Sequence, residues 1–363
     1  MTAPSPTAGI DPHQQNFTVG IVDEHGVEII HQAFNNDGEG YAVAIDVLTT
    51  HGVCQVGIEG SASWGSHVAI AVTAAGFDTR EVPPSRSAAQ RRSRRLDKTD
   101  AIDAISIARA LQAEPALGPV QTLEVYDPFV AKIEAVLEHR RSLVATRTLM
   151  LHHVGDQLAK LPSEVRDELG TTGKLEQRLR RVASIETSKA TTPSGRYRLE
   201  WLADYIDRDR ATATEIQRLE RLLGKLLDEH GTTLREESGI GPIAAATLVC
   251  EVGDPYRFDR ESKFARWSGT GAIALSSGEG SNEPVRHRLD FRGNRRINSV
   301  LYIASITQQR RHEPAQTYLE RKRSEGKTNR EARRAHKRHL ANRVIRRMWK
   351  DETTRKQKLP TAA

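Results

Sequence analysis

The sequence predicts an α/β layer at the N-terminus followed by helical units. Three observations point to it: short apolar runs alternating with helical periods up to about residue 112, two long stretches of 3.6-residue periodicity between about 129 and 229, and a concentration of cations after residue 285. The chain has 363 residues, a formal net charge of +7, and 28% charged against 37% hydrophobic residues. That balance excludes a membrane-embedded protein and a fully disordered one, and the length excludes a small disulfide-stapled scaffold. Cys54 and Cys250 are too far apart in unrelated contexts to read as a zinc site or a disulfide framework. Met1 to Gly9 carries no basic region followed by an apolar stretch, and no run approaches about 18 uninterrupted apolar residues. A protein of a reducing cytoplasm, without a membrane partner, is the expectation.

The elements follow in order. Asn16 to Phe34 reads as two β-rich runs around an Asp-Glu-His-Gly turn, which is a hairpin. Gly38 to Thr50 has a helical period, Val53 to Ile58 is a short apolar strand, Ser61 to Ala75 a helix and Phe77 to Val82 another strand. Ser85 to Lys98 breaks the pattern with Arg86, Arg91, Arg92, Arg94, Arg95 and Lys98, before a helix from about Thr99 to Gln112. A long helix is expected from about Phe129 to Leu161 and another from Leu199 to Glu229, with Ser184 to Arg198 as a loop between them. In the second, Ile216, Leu219, Leu222, Leu223, Leu226 and Leu227 form one apolar stripe. Only about two heptads keep the coiled-coil spacing, so intrachain packing and a short dimerisation arm both fit. A new unit opens near Leu234, with an apolar helix over Ile243 to Val252 and a Gly/Ser-rich stretch over Ser268 to Ser281. Two helices, Arg295 to Arg310 and Asn329 to Lys350, then close the chain. The resulting division is 1–125, 126–233 and 234–363.

Charge is segregated. Residues 286–363 hold 23 Lys and Arg against 7 Asp and Glu, a net +16, which leaves −9 on residues 1–285. A cationic surface set apart in this way is the footprint of a polyanion partner, because each neutralised phosphate releases counterions. Arg330, Arg333, Arg334, Lys337 and Arg338 line one helix whose later apolar positions are Leu340, Val344, Ile345 and Met348, a pattern suited to phosphate on one side and packing on the other. Gly239-Ile240-Gly241-Pro242 looks like the hairpin of a helix-hairpin-helix, where Gly239 and Gly241 would let backbone N–H groups approach a phosphate; a tight turn serving only the fold fits equally well. Aromatic residues are only 5% of the chain, leaving few side chains for base stacking.

Four acids stand where chemistry could be done. Asp11 lies at the mouth of the first strand, Glu59 ends the strand Val56-Gly57-Ile58, and Asp100 and Asp103 share a helix face at i, i+3. Carboxylates delivered from two strand ends and one helix can hold hard divalent cations, as Mg2+ and Mn2+ require. Two such ions in a phosphodiester site clamp the attacking and leaving oxygens. His13, His152 and His153 show no ligand spacing with cysteines or carboxylates and read as structural or exposed.

These pieces resemble the DEDD-type transposases, or recombinases, of the IS-one-ten group of bacterial insertion sequences. The matching segments are Gly9-Ile10-Asp11, Gly57-Ile58-Glu59-Gly60, Lys98-Thr99-Asp100-Ala101-Ile102-Asp103-Ala104, Gly239-Ile240-Gly241-Pro242 and Arg292-Gly293-Asn294-Arg295-Arg296, in family order across nearly the whole chain. The resemblance implies an α/β N-terminal domain with the ribonuclease-H/RuvC fold, a helical connector with the option of a coiled coil, and a mainly α C-terminal transposase domain. It puts the metal-binding tetrad on Asp11, Glu59, Asp100 and Asp103. It also implies a nucleophilic serine immediately before glycine in a loop of the C-terminal domain, where Ser276-Ser277-Gly278 stands. Ser277 is the assigned nucleophile. Ala272 replaces the proline that relatives usually carry five positions earlier, which keeps Ser276 as the other candidate.

The function implied is RNA-guided cleavage and exchange of donor and target DNA through a phosphoserine, by a dimer or tetramer that binds a structured noncoding guide RNA, the bridge RNA. Candidate phosphate contacts are Arg91, Arg92, Arg94, Arg95, Lys98, Arg286, Arg288, Arg292, Arg295 and Arg296, together with the two glycines and the five cations of the last helix. Two other classes fit parts of the pattern: a metal-dependent junction nuclease needs the tetrad without Ser277, and a nucleic-acid-binding protein needs only the basic C-terminal region.

Overall fold

The computed structural model describes residues 5–61, 63–94, 97, 99–115, 117–120, 127–170, 175–274, 287–289 and 293–358. The chain divides into two compact units, Met1–Pro128 with Gly253–Asp259, and Phe129–Val252 with Arg260–Ala363.

The first unit is built on β1 (Thr7–Pro12), β2 (Asn16–Val22), β3 (Glu28–Asn35), β4 (Gln55–Ile58) and β5 (Asp78–Glu81), with α1 (Gly38–Thr50), α2 (Ser66–Ala74), α3 (Pro84–Ser93) and α4 (Asp100–Ala113). The sheet order is β3-β2-β1-β4-β5; β1, β2 and β3 are antiparallel, while β4 and β5 run parallel to β1. The expected hairpin is β2–β3, and its turn is closed by Asp23, whose Oδ1 accepts from the backbone N–H groups of His25 and Val27 at 2.9 and 2.8 Å.

Alternation along the strands sorts the two faces. Ala8, Ile10, Val19, Ile21, Val56 and Ile58 join Ala44 and Leu48 of α1 and Val68, Ala69 and Val72 of α2 in one core. On the other face, Gly20, Gly9 and Gly57 stand side by side in register across β2, β1 and β4. A Cβ on Gly9 would lie 2.2 Å from the carbonyl oxygen of Ala104 and 2.4 Å from the amide of Ala108, and one on Gly20 would lie 2.8 Å from Ile105. Those neighbours are all α4. The glycine row therefore lets the helix backbone rest almost directly on the strands. At its far end, α4 is pinned by Arg109 Nε donating to Gly26 O at 2.8 Å and Gln112 Nε2 donating to Asp23 O at 2.7 Å.

Among its described residues the second unit is helical apart from one short antiparallel strand pair. It comprises α5 (Pro128–Ala159), α6 (Ser163–Leu169), α7 (Leu175–Val182), α8 (Pro193–His230), α9 (Pro242–Val252), α10 (Glu261–Trp267), β6 (Ala272–Ala274), β7 (His287–Leu289), α11 (Arg295–Arg311), α12 (Glu313–Ser324) and α13 (Asn329–Lys358). Helices α5 and α8 run antiparallel, joined by ion pairs of Arg140 with Glu220 and Arg147 with Asp209. At 1.5 Å per residue they are about 48 and 57 Å long. Val154 and Leu158 of α5 form a separate core with Val165, Leu179, Leu199 and Leu202 of α6, α7 and α8. The fold class read from the sequence is the one found: a RuvC-like α/β domain followed by a mainly helical region.

Three expectations at element level are corrected. Ser85 to Lys98 is not simply a break, because α3 occupies Pro84–Ser93. Its only buried side chain is Ser87, and it is held by polar contacts that apolar periodicity does not report. The loop expected over Ser184 to Arg198 gives way at Pro193, where Thr192 Oγ1 accepts from Gly195 N at 3.1 Å and proline takes the first turn of α8. Finally, α12 intervenes between the two expected closing helices, carrying only Ala315 and Leu319 into the core.

Gly9→Ala should lower the unfolding free energy by about 3 kcal/mol, the upper end of overpacking costs, since the obstacle is helix backbone that cannot rotate away. Gly38→Ala, with nothing within 4 Å, should change it by less than about 1 kcal/mol. Urea denaturation of both variants checks the difference, and equal stabilities would mean that α4 does not rest on the strands.

Candidate functional site

Parallel pairing sets Ile10 opposite Ile58, and Glu59 N continues the ladder by donating to Ile10 O at 3.4 Å. Asp11 and Glu59 thus leave adjacent parallel strands at neighbouring points. Each lies two residues beyond a glycine of the row, and a period of two returns it to the face that α4 covers. Because α4 runs antiparallel to β1, its first turn reaches those strand ends. Thr99 caps it, accepting from Ile102 N at 3.2 Å, and Asp100 and Asp103 fill the first turn where the helix dipole favours acids.

His13 stands at this convergence. Its Nε2 lies 3.4 Å from Asp11 Oδ2 and 3.4 Å from Asp100 Oδ1, and among the described residues Asp11, His13 and Asp100 form a cluster whose ligand atoms all lie within 4.8 Å of one another. Asn36 holds the backbone here, its Nδ2 donating to His13 O at 2.8 Å. Reading the sequence by spacing to cysteines and carboxylates passed over this histidine. Its signal was the same two-residue period, Gly9, Asp11, His13.

The other two acids have partners on α3. Ser87 donates to Glu59 Oε2 at 2.5 Å, and Arg91 forms an ion pair with Asp103. The turn that carries Glu59 is braced by Glu81, which accepts from the Ser61 hydroxyl and from the N–H groups of Gly60 and Ser61. Burial pushes the Glu81 carboxyl above its ordinary range against those hydrogen bonds, with the charge of Glu59 adding to the rise. Burial likewise pushes Asp11 up to about 6; His13 pulls it down, and Asp103, Glu59 and Asp100 push it further up. The other three acids therefore all act on the Asp11 carboxyl. Two carboxylates and an imidazole converging with no Lys or Arg paired to them among the described residues fit a divalent metal, which would lower the mutual repulsion.

The candidate phosphate contacts separate into groups. Arg91 is engaged by Asp103, whereas Arg92 and Arg94 are exposed. Arg296 pairs with Glu251 at 2.7 Å, and Arg295 is exposed. Gly239, at φ 82°, packs on α11, where a Cβ would lie 2.8 Å from Ala304 O; at Gly241 nothing lies within 4 Å. The cations of α13 also divide. Arg343, Arg346 and Arg347 are tied to Glu237, Glu261 and Glu236, whereas none of Arg330, Arg333, Arg334 and Lys337 forms an ion pair with a carboxylate among the described residues. Arg338 is half-buried, and burial holds it below its ordinary range. Among the described residues of α13, the cluster Arg330, Arg333, Arg334 and Lys337, free of carboxylate ion pairs, thus lies in the first half of the helix.

Ser276, Ser277, Arg286, Arg292, Arg95 and Lys98 lie outside the described residues, as does the side chain of Arg288. The strands flanking the serine segment pair antiparallel, with Ala274 opposite His287. Their base is anchored where Gly293 meets Gly269, a Cβ there falling 2.2 Å from Gly269 N, and where Asn294 caps α11 by accepting from Ile297 N at 3.0 Å.

Residues 8–161 match the family model for DEDD transposases of the IS110 group, described as a transposase, and residues 231–320 match that of the transposase IS116/IS110/IS902 family. The chain belongs to the IS110 family of transposases. No curated protein matches it at a significant level. As a transposase it is a DNA-processing enzyme and takes DNA as substrate, and the acidic cluster lies within the first matched segment. None of its described helices is long and apolar enough to cross a membrane.

The raised Asp11 carboxyl has a measurable consequence in the metal-free transposase. The folded chain keeps a proton on Asp11 up to about pH 6, whereas an ordinary aspartate releases it near 3.8. Folded protein binds more protons in that window, so this group's stabilising contribution is present below about pH 4 and lost as pH rises through about 6. In EDTA, Asp11→Asn should gain stability relative to the parent between those limits and hold the gain above them. A difference independent of pH in urea titrations would contradict the raised carboxyl.

Proposed function

We propose that this transposase exchanges DNA strands through a covalent phosphoserine on Ser277, with Asp11, Glu59, Asp100 and Asp103 holding divalent metal, Mg2+ or Mn2+, beside the transferring phosphate. The observation that carries the reading is the convergence of Asp11 and Asp100 around His13, with Glu59 and Asp103 close enough to raise the Asp11 carboxyl. When bound, the metal would neutralise charge on the phosphate oxygens. The chain's own part is positional. Strand ends β1 and β4 and the first turn of α4 present the carboxylates, His13 bridges two of them, and α3 supplies Ser87 and Arg91 as the groups that occupy Glu59 and Asp103 when no metal is held.

In the reaction, Ser277 Oγ bonds to phosphorus, the bond from phosphorus to the leaving deoxyribose oxygen breaks, and the hydroxyl proton ends on that leaving oxygen. Attack by a hydroxyl of the partner strand reverses these changes and frees the serine. The family membership supports a serine mechanism, and the pairing of β6 with β7 supports a fixed base for the segment that bears it. A structured guide RNA that reads both DNAs by base pairing fits a chain with 5% aromatic residues and a cationic helix face that has no carboxylate partner among the described residues. Work by a dimer or tetramer is part of the same reading, with the acids of one subunit completing the serine site of another.

The test is to incubate the transposase with guide RNA, donor and target DNA and Mg2+, denature it, and look for DNA-linked peptide by electrophoresis and mass spectrometry. The expected result is an adduct at Ser277 that Ser277→Ala abolishes without weakening DNA binding. Exchange at the parent rate by Ser277→Ala would overturn the serine mechanism in favour of a metal-dependent junction nuclease, and an adduct at Ser276 would move the nucleophile by one residue.

A further inference from the structure

A cavity of about 270 Å3 opens between α11 and α13, lined by Tyr302, Ser305, Ile306, Arg330, Arg333, Arg334 and Lys337. Spacing on each helix makes it a built surface. Tyr302, Ser305 and Ile306 fall at i, i+3 and i+4 of α11, and the four cations at i, i+3, i+4 and i+7 of α13, so each helix contributes a single face. One wall is aromatic and aliphatic. The other carries four positive charges with no carboxylate paired to any of them among the described residues.

The rest of α13 shows how unusual that is. Arg343, Arg346 and Arg347 each meet a glutamate from another element, and Arg355 meets Glu352. Beside the cavity, Lys337 is buried; its Nζ donates to Asn298 Oδ1 at 3.0 Å, and burial beside Arg334 holds its ammonium below the ordinary range. A buried cation held only by a neutral amide is stabilised when an anionic partner arrives. Tyr302 is 50% exposed, so its ring faces outward instead of filling the core.

Size, charge and ring together select the ligand. Pockets for drug-sized ligands run roughly 300–1,000 Å3, so this open cavity, just below that range, is sized for no more than one nucleotide and is far too small for a base pair with both backbones. Clustered arginines bind phosphate by charge-assisted hydrogen bonds. A base can stack on Tyr302 only if its own face is unstacked, which excludes the interior of a duplex. We propose that this cavity is a single-nucleotide site that seats one unpaired nucleotide, its phosphate on Arg330, Arg333, Arg334 and Lys337 and its base on Tyr302 and Ile306. Asn298 ties the site to the turn before β6, since its Nδ2 donates to Ser268 O and Gly269 O at 3.1 and 2.9 Å and its Oδ1 accepts from Lys337. Unpaired nucleotides occur in opened DNA at an exchange point and in loops of a structured RNA, and both present the same chemistry. This inference rests on the nucleic-acid reading above but not on Ser277.

The test measures binding of the full chain to single-stranded DNA, single-stranded RNA and duplex DNA of one sequence by fluorescence anisotropy. Tyr302→Ala should weaken binding to at least one single strand by about 5- to 150-fold, the range that stacking of one base supplies. Tyr302→Phe should stay within about twofold of the parent, and duplex affinity should move by less than about twofold. The single strand that responds identifies the source of the nucleotide. An unchanged affinity for both single strands, or an equal loss on duplex, would overturn the single-nucleotide site while leaving the recombinase reading intact. Failure of the parent to bind any nucleic acid would overturn both.

Discussion

The approach of α4 to the sheet is the constraint on which the N-terminal domain depends. Three glycines in register, Gly20, Gly9 and Gly57, strip one track of the sheet of side chains, and Ala104 and Ala108 give the helix a matching smooth side. Contact at backbone distance fixes both the height of the helix and its position along the strands, because any side chain in the track would lift it. Two residues past Gly9 and Gly57 the chain carries Asp11 and Glu59, while the first turn of the same helix carries Asp100 and Asp103. Packing and acid placement are thus a single geometric fact. Burial raises the Asp11 carboxyl and the gathered acids push it further, while the polar contacts of α3 with Glu59 and Asp103 offset part of the mutual repulsion.

In the helical unit the organising force is charge partition. Along α13 the later arginines are spent on glutamates at the turn following α8 and at the start of α10, which fastens the helix to its neighbours. Asp351 adds to the fastening, accepting from Thr233 N at 2.8 Å and from the Thr233 hydroxyl at 2.7 Å. The earlier arginines have no such partners among the described residues. One helix therefore serves stability in its second half and leaves a concentrated positive field in its first, which suits an enzyme whose substrate is a polyanion.

Much of this was legible in the sequence. The strand and helix alternation of the N-terminal domain follows from period-2 and period-3.6 apolar patterns, and the glycine-x-acid repeats at Gly9-Ile10-Asp11 and Gly57-Ile58-Glu59 marked the strand ends. What escaped was held by polar contacts or by position. Helix α3 has almost no apolar face; its Ser87 and Arg91 matter because of acids that lie 28 and 12 residues away in sequence. His13 lacked a cysteine or carboxylate at conventional metal spacing and is brought to Asp100 only by the fold. Net charge could count cations after residue 285 but could not tell those neutralised inside the protein from those left open, since an ion pair such as Arg343 with Glu237 spans over a hundred residues.

If the glycine track gathers the acids into a metal site, the site should be visible directly. The decisive measurement is an anomalous difference map from crystals of the transposase grown with Mn2+ and collected at the manganese edge. The account predicts a peak bonded by oxygens of Asp11 and Asp100, with Glu59 or Asp103 turned away from its α3 partner to complete the shell. Crystals that bind Mn2+ elsewhere, or leave the four carboxylates in their metal-free arrangement at millimolar Mn2+, would contradict it.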